Sequence, residues 1–267
     1  MRIYTSAQNT EFTGRSSSIL DDLSRKDFVD AYALIHFPKD RPMCGRFALF
    51  HDAATLAKYL PVERVAFSPQ PRYNIAPTQV VAAVLCLPEE SGRTLDVLQW
   101  GLVPFWAKDV RMGSRMINAR AETAAQKPAY RAAFKHRRCV LPASGYYEWK
   151  KQPYCKTPHY FSMVDGRPFG MAGLWEEWNS PDGELLHTCS ILTTEASPGI
   201  AAIHHRMPVI LGAEAQLCWL EADPEDRTQI QYLLKPYPRD DLQAHPVSTQ
   251  MNAAKWDDPS CIEPVLN

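Results

Sequence analysis

Short apolar runs alternate with polar positions along most of this 267-residue chain, and many of its prolines lie between those runs. Apolar runs of this length, bounded by turn-forming residues, are typical of β-strands. Helical spacing of apolar residues is rarer. The pattern predicts strands at 80–87 and 94–100, and helices at 53–59, about 121–136, 214–220 and 226–234.

No internal repeat or flexible linker divides residues 43–267. We therefore expect a single α+β domain built on a curved, barrel-like antiparallel β-sheet with flanking helices. Residues 1–42 differ from this domain: they are polar and rich in Ser and Thr up to Ser18, and a short amphipathic stretch follows from Ile19 to Phe37. We expect them to form an N-terminal extension. Neither a secretory signal nor an apolar run of membrane-spanning length occurs, so we expect a cytoplasmic protein without a membrane partner.

The formal net charge of −1 conceals a basic segment in the middle of the chain. Residues 101–160 contain twelve lysines and arginines against three acidic residues. Such a concentration of positive charge can bind a polyanion even when the whole chain is nearly neutral. It is equally compatible with a solvated basic helix face.

The seven cysteines are odd in number, widely spaced and never arranged as CxxC. This pattern fits neither a disulfide framework nor a zinc site. We expect most of them to be small buried apolar residues, and we expect neither a metal nor a cofactor.

Cys44, in the segment Met43-Cys44-Gly45-Arg46-Phe47, changes its chemistry if it becomes the first residue of the chain. Its α-amine then has a pKa of about 7.7–8.0, against about 10.4 for lysine, so a useful fraction is nucleophilic near neutral pH. The amine can form a Schiff base with an aldehyde, and the adjacent thiol can close a thiazolidine ring. Arg46 can lower the thiol pKa or hold a phosphate, or simply form a surface ion pair.

Seven short segments together resemble the ordered motif set of the SRAP family, the SOS response-associated peptidases. Each is weak evidence alone, but seven in the right order are highly specific. The segments are Met43–Phe47, Arg72–Thr78, Trp100–Trp106, Ile117–Thr123, Gly145–Lys150, Ile203–Pro208 and His245–Ser248.

This resemblance implies a protein that crosslinks its N-terminal cysteine to the ring-opened sugar of an abasic site in single-stranded DNA. Such a protein would act in the DNA damage response, associate with the nucleoid when bound, work as a monomer and meet replication-fork proteins. The implied catalytic residues are Cys44, Asn118, Glu148 and His204, and the implied DNA-binding residues are Arg46, Trp106, Arg120, Thr193 and Arg206.

Each implied role has a physical expectation attached to it. Glu148 would exchange protons during aldehyde capture, with its pKa raised by an apolar wall of Tyr147 and Trp149. His204 would protonate the sugar oxygen. Its neighbour His205 is the alternative, and on an extended strand the two would face opposite sides.

Asn118 would orient the amine or the sugar hydroxyl through its amide, although a structural role in a turn is the alternative. Trp106, with Phe105 or Phe47 nearby, would stack on bases beside the lesion.

The 42 residues before Met43 depart from the family pattern, which begins at Met-Cys. Either the true start lies at Met43, which we favour, or the extension is removed. Two other functions stay open: a thiol autopeptidase that releases its own N-terminal peptide through Cys44, and a module that binds single strands without a covalent step.

Overall fold

The computed structural model describes residues 44–87, 91–223, 225–238 and 241–265, apart from the side chain of Arg227. The predicted extension, residues 1–42, lies outside the described residues, as does Met43. No helix in the described ranges has both the length and the apolar character needed to cross a membrane.

The described strands form two sheets. Their bounds are β1 (Phe47–Leu49), β2 (Arg64–Val65), β3 (Arg72–Ile75), β4 (Val80–Cys86), β5 (Arg93–Trp100), β6 (Asn118–Arg120), β7 (Arg138–Ala143), β8 (Gly145–Lys151), β9 (Lys156–Met163), β10 (Phe169–Asn179), β11 (Leu185–Glu195), β12 (Arg206–Pro208), β13 (Ile210–Leu211) and β14 (Leu242–Pro246).

The helices are short and lie between the strands. They are α1 (Ala53–Tyr59), α2 (Ala121–Ala124), α3 (Arg131–His136), α4 (Pro198–Ala201), α5 (Ala213–Glu221) and α6 (Arg227–Leu233), with 3-10 helices at Val110–Arg115, Thr249–Asn252 and Pro259–Ile262.

The larger sheet closes on itself. Strands β11, β10, β7, β4 and β5 pair in that order as antiparallel neighbours, and β5 then pairs in parallel with β11 to complete a barrel. Trp100 and Trp175 are among its fully buried side chains, and the Trp100 indole donates a 2.9 Å hydrogen bond to the carbonyl of Ile117. The expected barrel-like α+β domain is therefore confirmed, while the parallel closure was not foreseen.

The smaller sheet has the order β14-β9-β8-β1-β3. Because side chains alternate along a strand, β8 contributes to two separate clusters. Tyr146 packs into the large core shared with the barrel, whereas Tyr147 and Trp149 pack into a second cluster with Met251 and Cys261. The strand thus presents one face to each cluster.

The predicted helix over 121–136 is wrong in its middle. The chain forms α2, turns through residues 125–130, and only then forms α3. Pro128 lies in this turn; it has no N–H to donate and disfavours helical geometry at Lys127 before it. The other predicted elements are confirmed to within two residues, including α1 (predicted at 53–59) and the strands β4 and β5.

Asn74 connects the smaller sheet to the C-terminal segment. It is completely buried, and its side-chain nitrogen lies within hydrogen-bond distance of the carbonyls of Met251, Ala253 and Trp256. Its oxygen accepts a 2.7 Å hydrogen bond from Arg46. One amide therefore fixes the C-terminal turns against β3 and the start of β1.

Replacing Asn74 with alanine should lower the free energy of unfolding by about 2–3 kcal/mol, because buried carbonyls and the Arg46 guanidinium each lose one hydrogen-bond partner. Urea denaturation measures this loss. The exposed Gln250, in the 3-10 helix at Thr249–Asn252, is the control: Gln250→Ala should change the midpoint little. Equal stability of Asn74→Ala and wild type would contradict the assigned role.

Candidate functional site

Cys44 lies three residues before β1 and is buried, with 1% of its surface exposed. Its φ angle of 45° places it in the left-handed region, which is uncommon for a residue other than glycine. Its backbone nitrogen donates a 2.7 Å hydrogen bond to Oε1 of Glu148. The nitrogen of residue 44 is thus held directly against a buried carboxyl group.

Glu148 lies in β8 with only 3% of its surface exposed. Burial raises its pKa to about 8, although hydrogen bonds from the backbone N–H groups of Cys44 and Trp149 oppose the shift. The expected source of that shift is corrected: Tyr147 and Trp149 face the second cluster on the opposite side of the strand. The burial comes from the side of β8 that faces the main core, where Cys44 and Tyr146 pack.

His204 follows α4 and lies two residues before the start of β12. Its Nδ1 atom is 3.7 Å from Oε1 of Glu148, and 3.2 Å from both the backbone nitrogen and oxygen of Arg206. Burial lowers the pKa of His204. Since the pKa of Glu148 is raised and that of His204 is lowered, both groups are neutral near pH 7 and their contact is not an ion pair.

His204 and His205 do not face opposite sides, as the extended-strand expectation had it. Their ring centroids are 4.5 Å apart, because the strand begins only at Arg206 and both histidines precede it. His204 is half-buried beside Glu148, whereas His205 is exposed. The geometry therefore distinguishes the two by their distance from the carboxyl group.

Asn118 begins β6, which runs parallel to β11 at the barrel. Its side-chain nitrogen is 3.5 Å from the carbonyl oxygen of Cys44, and its own carbonyl accepts a 3.1 Å hydrogen bond from the Tyr130 hydroxyl. The fold therefore brings Asn118, Glu148 and His204 around Cys44. Together they offer a nucleophile, two proton-exchanging groups and an amide that orients the backbone.

A pocket of about 570 Å³ opens beside Asn118. Trp106 and Arg120, both exposed, line it, and so do Lys127 and Tyr130. Sequence reasoning did not single out the last two. Lys127 carried a signal as part of the basic segment, but Tyr130 carried none, because it fell inside a helix that the structure interrupts.

Three other residues expected to contact DNA form contacts with other residues of the protein. Arg46 donates to Asn74, Met251 and Asn252. Arg206 forms a two-pronged ion pair with Glu122 and also donates to the carbonyl of Thr193, whose side chain is buried. Phe47, offered as a stacking partner, is wrong for that role: it is core, 5.2 Å from Trp100 in an edge-on contact.

The basic segment is not one continuous binding face, because several of its cations stabilise the fold. Arg138 is buried, donates to backbone carbonyls and lies 5.7 Å from the ring centre of Trp219. Three others pair with carboxylates: Arg111 with Asp109, Lys135 with Glu225 and Arg137 with Glu176.

The cysteines are all free thiols, and four of the seven are buried. Within the ranges that the structure describes, no group of three or more histidine, cysteine or acidic side chains is arranged to hold a metal ion.

Comparisons with known proteins agree with one another. The family model described as SOS response associated peptidase (SRAP) matches residues 43–254. The chain is 40% identical over 226 residues to the abasic site processing protein YoqW of Bacillus subtilis (strain 168), covering 83% of this chain and 99% of that protein. It is 34% identical over 201 residues to the abasic site processing protein HMCES of Gallus gallus, covering 66% and 59%. A crystal structure of a protein from Bacteroides thetaiotaomicron matches with a TM-score of 0.72 at 26% identity, covering 84% of this chain and 100% of that one.

The raised pKa of Glu148 predicts a pH-dependent cost to stability in the chain in which residue 44 carries a peptide bond. Because the folded-state pKa of about 8 exceeds the ordinary value of 4.5, wild-type stability is lost as pH rises from about 4.5 through about 8. Glu148→Gln removes this loss. The variant should therefore gain stability over wild type across that window, by an amount on the order of 5 kcal/mol at most.

Urea denaturation at a series of pH values measures the gain. Glu184→Gln, an exposed carboxyl in the turn between β10 and β11, is the control and should track wild type. A difference between Glu148→Gln and wild type that stays constant with pH would show that the carboxyl is charged at neutral pH.

Proposed function

Because the chain belongs to the SRAP family, we propose that it processes abasic sites by capturing them covalently in single-stranded DNA through Cys44. The names of the relatives, abasic site processing proteins, support processing of such sites in general. The observation that carries the covalent step is the 2.7 Å contact between the nitrogen of Cys44 and the buried carboxyl of Glu148.

The first step requires a free amine at residue 44, and therefore a chain without the bond between Met43 and Cys44. The amine lone pair attacks the aldehyde carbon of the ring-opened sugar, and the carbonyl π pair moves to oxygen. The amine reaches its neutral form by giving one proton of its ammonium group to the Glu148 carboxylate. After the attack, His204 carries a second N–H proton to the alkoxide oxygen, which gives a neutral carbinolamine. The carbinol oxygen then leaves as water with the proton held by Glu148, and a protonated imine and the Glu148 carboxylate remain.

The second step closes the ring. The Cys44 thiol gives its proton to the carboxylate, the sulfur forms a bond to the imine carbon, and the C=N π pair returns to nitrogen. The product is a thiazolidine with a neutral secondary amine. Because thiol and amine belong to the same residue, the sulfur is held beside the imine carbon at high effective concentration.

His204 and Asn118 have distinct proposed roles. A neutral His204 can first accept a proton from the Glu148 carboxyl, and the imidazolium so formed can give that proton to the sugar oxygen as the furanose ring opens. The Asn118 amide holds the Cys44 carbonyl, which fixes the direction of the nitrogen. We assign the proton transfers to Glu148 and His204 and the orientation to Asn118.

DNA would enter through the pocket beside Asn118. Arg120 and Lys127 supply positive charge for phosphates, and Trp106 offers an exposed ring on which a base can stack. We assign a supporting role to Arg46, Thr193 and Arg206, because their contacts within the fold hold β1, β11 and β12 in place.

Autopeptidase activity is a second candidate, favoured by one observation. The atom that touches Glu148 is the nitrogen that a cleaved peptide bond would release. With its raised pKa, Glu148 is an acid able to protonate that leaving nitrogen at neutral pH. This activity would generate the amine that DNA capture requires.

Covalent capture should depend on a free Cys44 amine. Protein beginning at Cys44 should give a band that survives a denaturing gel with abasic single-stranded DNA. The full chain should give the band only after intact mass spectrometry shows that the upstream residues are lost. Cys44→Ala should lose the stable band but keep reversible DNA binding. A stable band from Cys44→Ala, or from a chain that retains its upstream residues, would exclude the proposed chemistry.

Arg120→Ala should weaken binding of any single strand and reduce the salt dependence of binding, since each phosphate contact adds about 0.7 to the slope of log K against log salt. Fluorescence anisotropy with undamaged oligonucleotides at several salt concentrations measures the slope. Lys58→Ala, exposed on α1 and outside the pocket, is the control. A slope unchanged from wild type would remove Arg120 from the DNA contacts.

A further inference from the structure

Tyr146 occupies a fixed position in the wall of the site. It lies in β8, is completely buried, and pairs across the sheet with Phe47 of β1 and Phe161 of β9. Its ring is stacked on that of Phe161, with centroids 4.7 Å apart and planes 8° from parallel. These contacts hold the ring in place.

The Tyr146 hydroxyl makes no hydrogen bond with any part of the chain that the structure describes. Its neighbour Tyr147 behaves differently, because its hydroxyl donates a 2.6 Å hydrogen bond to the carbonyl of Tyr73. A buried hydroxyl without a partner destabilises a fold, so such a group calls for an explanation.

The surroundings of this hydroxyl indicate what it serves. Tyr146 and Glu148 are two residues apart in one strand, so their side chains share a face, and Tyr146 packs in the same buried cluster as Cys44. Burial raises the pKa of Tyr146 well above its ordinary value, and negative charge on Cys44 or Glu148 raises it further. The hydroxyl therefore keeps its proton and lies within electrostatic reach of both groups.

We propose that Tyr146 is a further catalytic residue, whose hydroxyl donates a hydrogen bond to the sulfur of Cys44 as the thiazolidine ring closes. This inference rests on the proposed function. As the thiol proton moves to Glu148 and the sulfur bonds to the imine carbon, negative charge passes through the sulfur. Tyr146 stabilises that charge and keeps its own proton throughout.

The sulfur needs such a donor because its environment disfavours a thiolate. Burial, and then the proximity of Glu148, raise the pKa of the Cys44 thiol. The other polar groups of the site have contacts elsewhere: the Asn118 amide with the Cys44 carbonyl, and His204 Nδ1 with the Arg206 backbone. Tyr146 is therefore the donor that we assign to the ionising thiol, and the bond would form as the sulfur turns towards the imine carbon, since the described residues show none between them.

The test compares Tyr146→Phe with Tyr160→Phe in protein beginning at Cys44. The control removes an equally buried hydroxyl that also has no hydrogen bond in the described ranges, but Tyr160 packs in the second cluster, away from Cys44.

Cyanoborohydride reduces the imine but not the closed ring, so trapping at timed intervals separates the two steps. Tyr146→Phe should close the ring about tenfold more slowly, with unchanged imine formation and DNA affinity. Ring closure should also shift to higher pH, and Tyr160→Phe should match wild type.

Two further measurements, the urea midpoint and the effect of a double variant, distinguish a catalytic role of Tyr146 from a merely structural effect of Tyr146→Phe. Because Tyr146→Phe removes no hydrogen bond seen in the structure, its urea midpoint should equal or exceed that of wild type. In the Cys44→Ala background, which forms only the imine, adding Tyr146→Phe should change nothing. Ring closure as fast as wild type, or an equal slowing of imine formation in both backgrounds, would overturn the inference while leaving the crosslink standing. A wild-type protein that forms no adduct would instead overturn the proposed function, and this inference with it.

Discussion

The site depends on one hydrogen bond, from the nitrogen of Cys44 to the carboxyl of Glu148. A carboxyl group buried to this degree must be neutral or paired, because an isolated charge is too costly to remove from water. Here the partner is the chain itself at residue 44. The atom that the proposed chemistry uses is therefore also the atom that satisfies the buried acid.

Neither sheet contains the site alone. Cys44 precedes β1 and Glu148 lies in β8, both of the smaller sheet, whereas Asn118 begins β6 and His204 precedes β12, both of the larger one. The parallel pairing of β6 with β11 places Asn118 beside Cys44, which precedes the first strand of the smaller sheet. The pairings of β6 and β12 with β11 thus fix two of the four groups, and the pairing of β1 with β8 fixes the other two.

The sequence predicted the elements whose signals are local. Alternation and turn residues located β4 and β5, and the motif residues around Cys44 did converge in space. The predictions that failed depended on contacts between residues distant in the sequence, or on a single residue. Pro128 interrupted a helix that apolar spacing favoured, and strand alternation turned Tyr147 and Trp149 away from Glu148. The contacts of Arg46 and Arg206 with distant backbone could not be read from short motifs, since their partners lie up to 206 residues away.

The peptide bond at residue 44 sets the protonation state of Glu148, and this links the two candidate activities. While the nitrogen is an amide, it carries no charge, and burial keeps the carboxyl protonated up to about pH 8. The group is then an acid held against a nitrogen that cleavage would release. Once that nitrogen is an amine, its ammonium form lies beside the carboxyl and lowers the carboxyl pKa. The same side chain becomes the base that aldehyde capture needs, so one buried acid can serve both steps in succession without any movement of the fold.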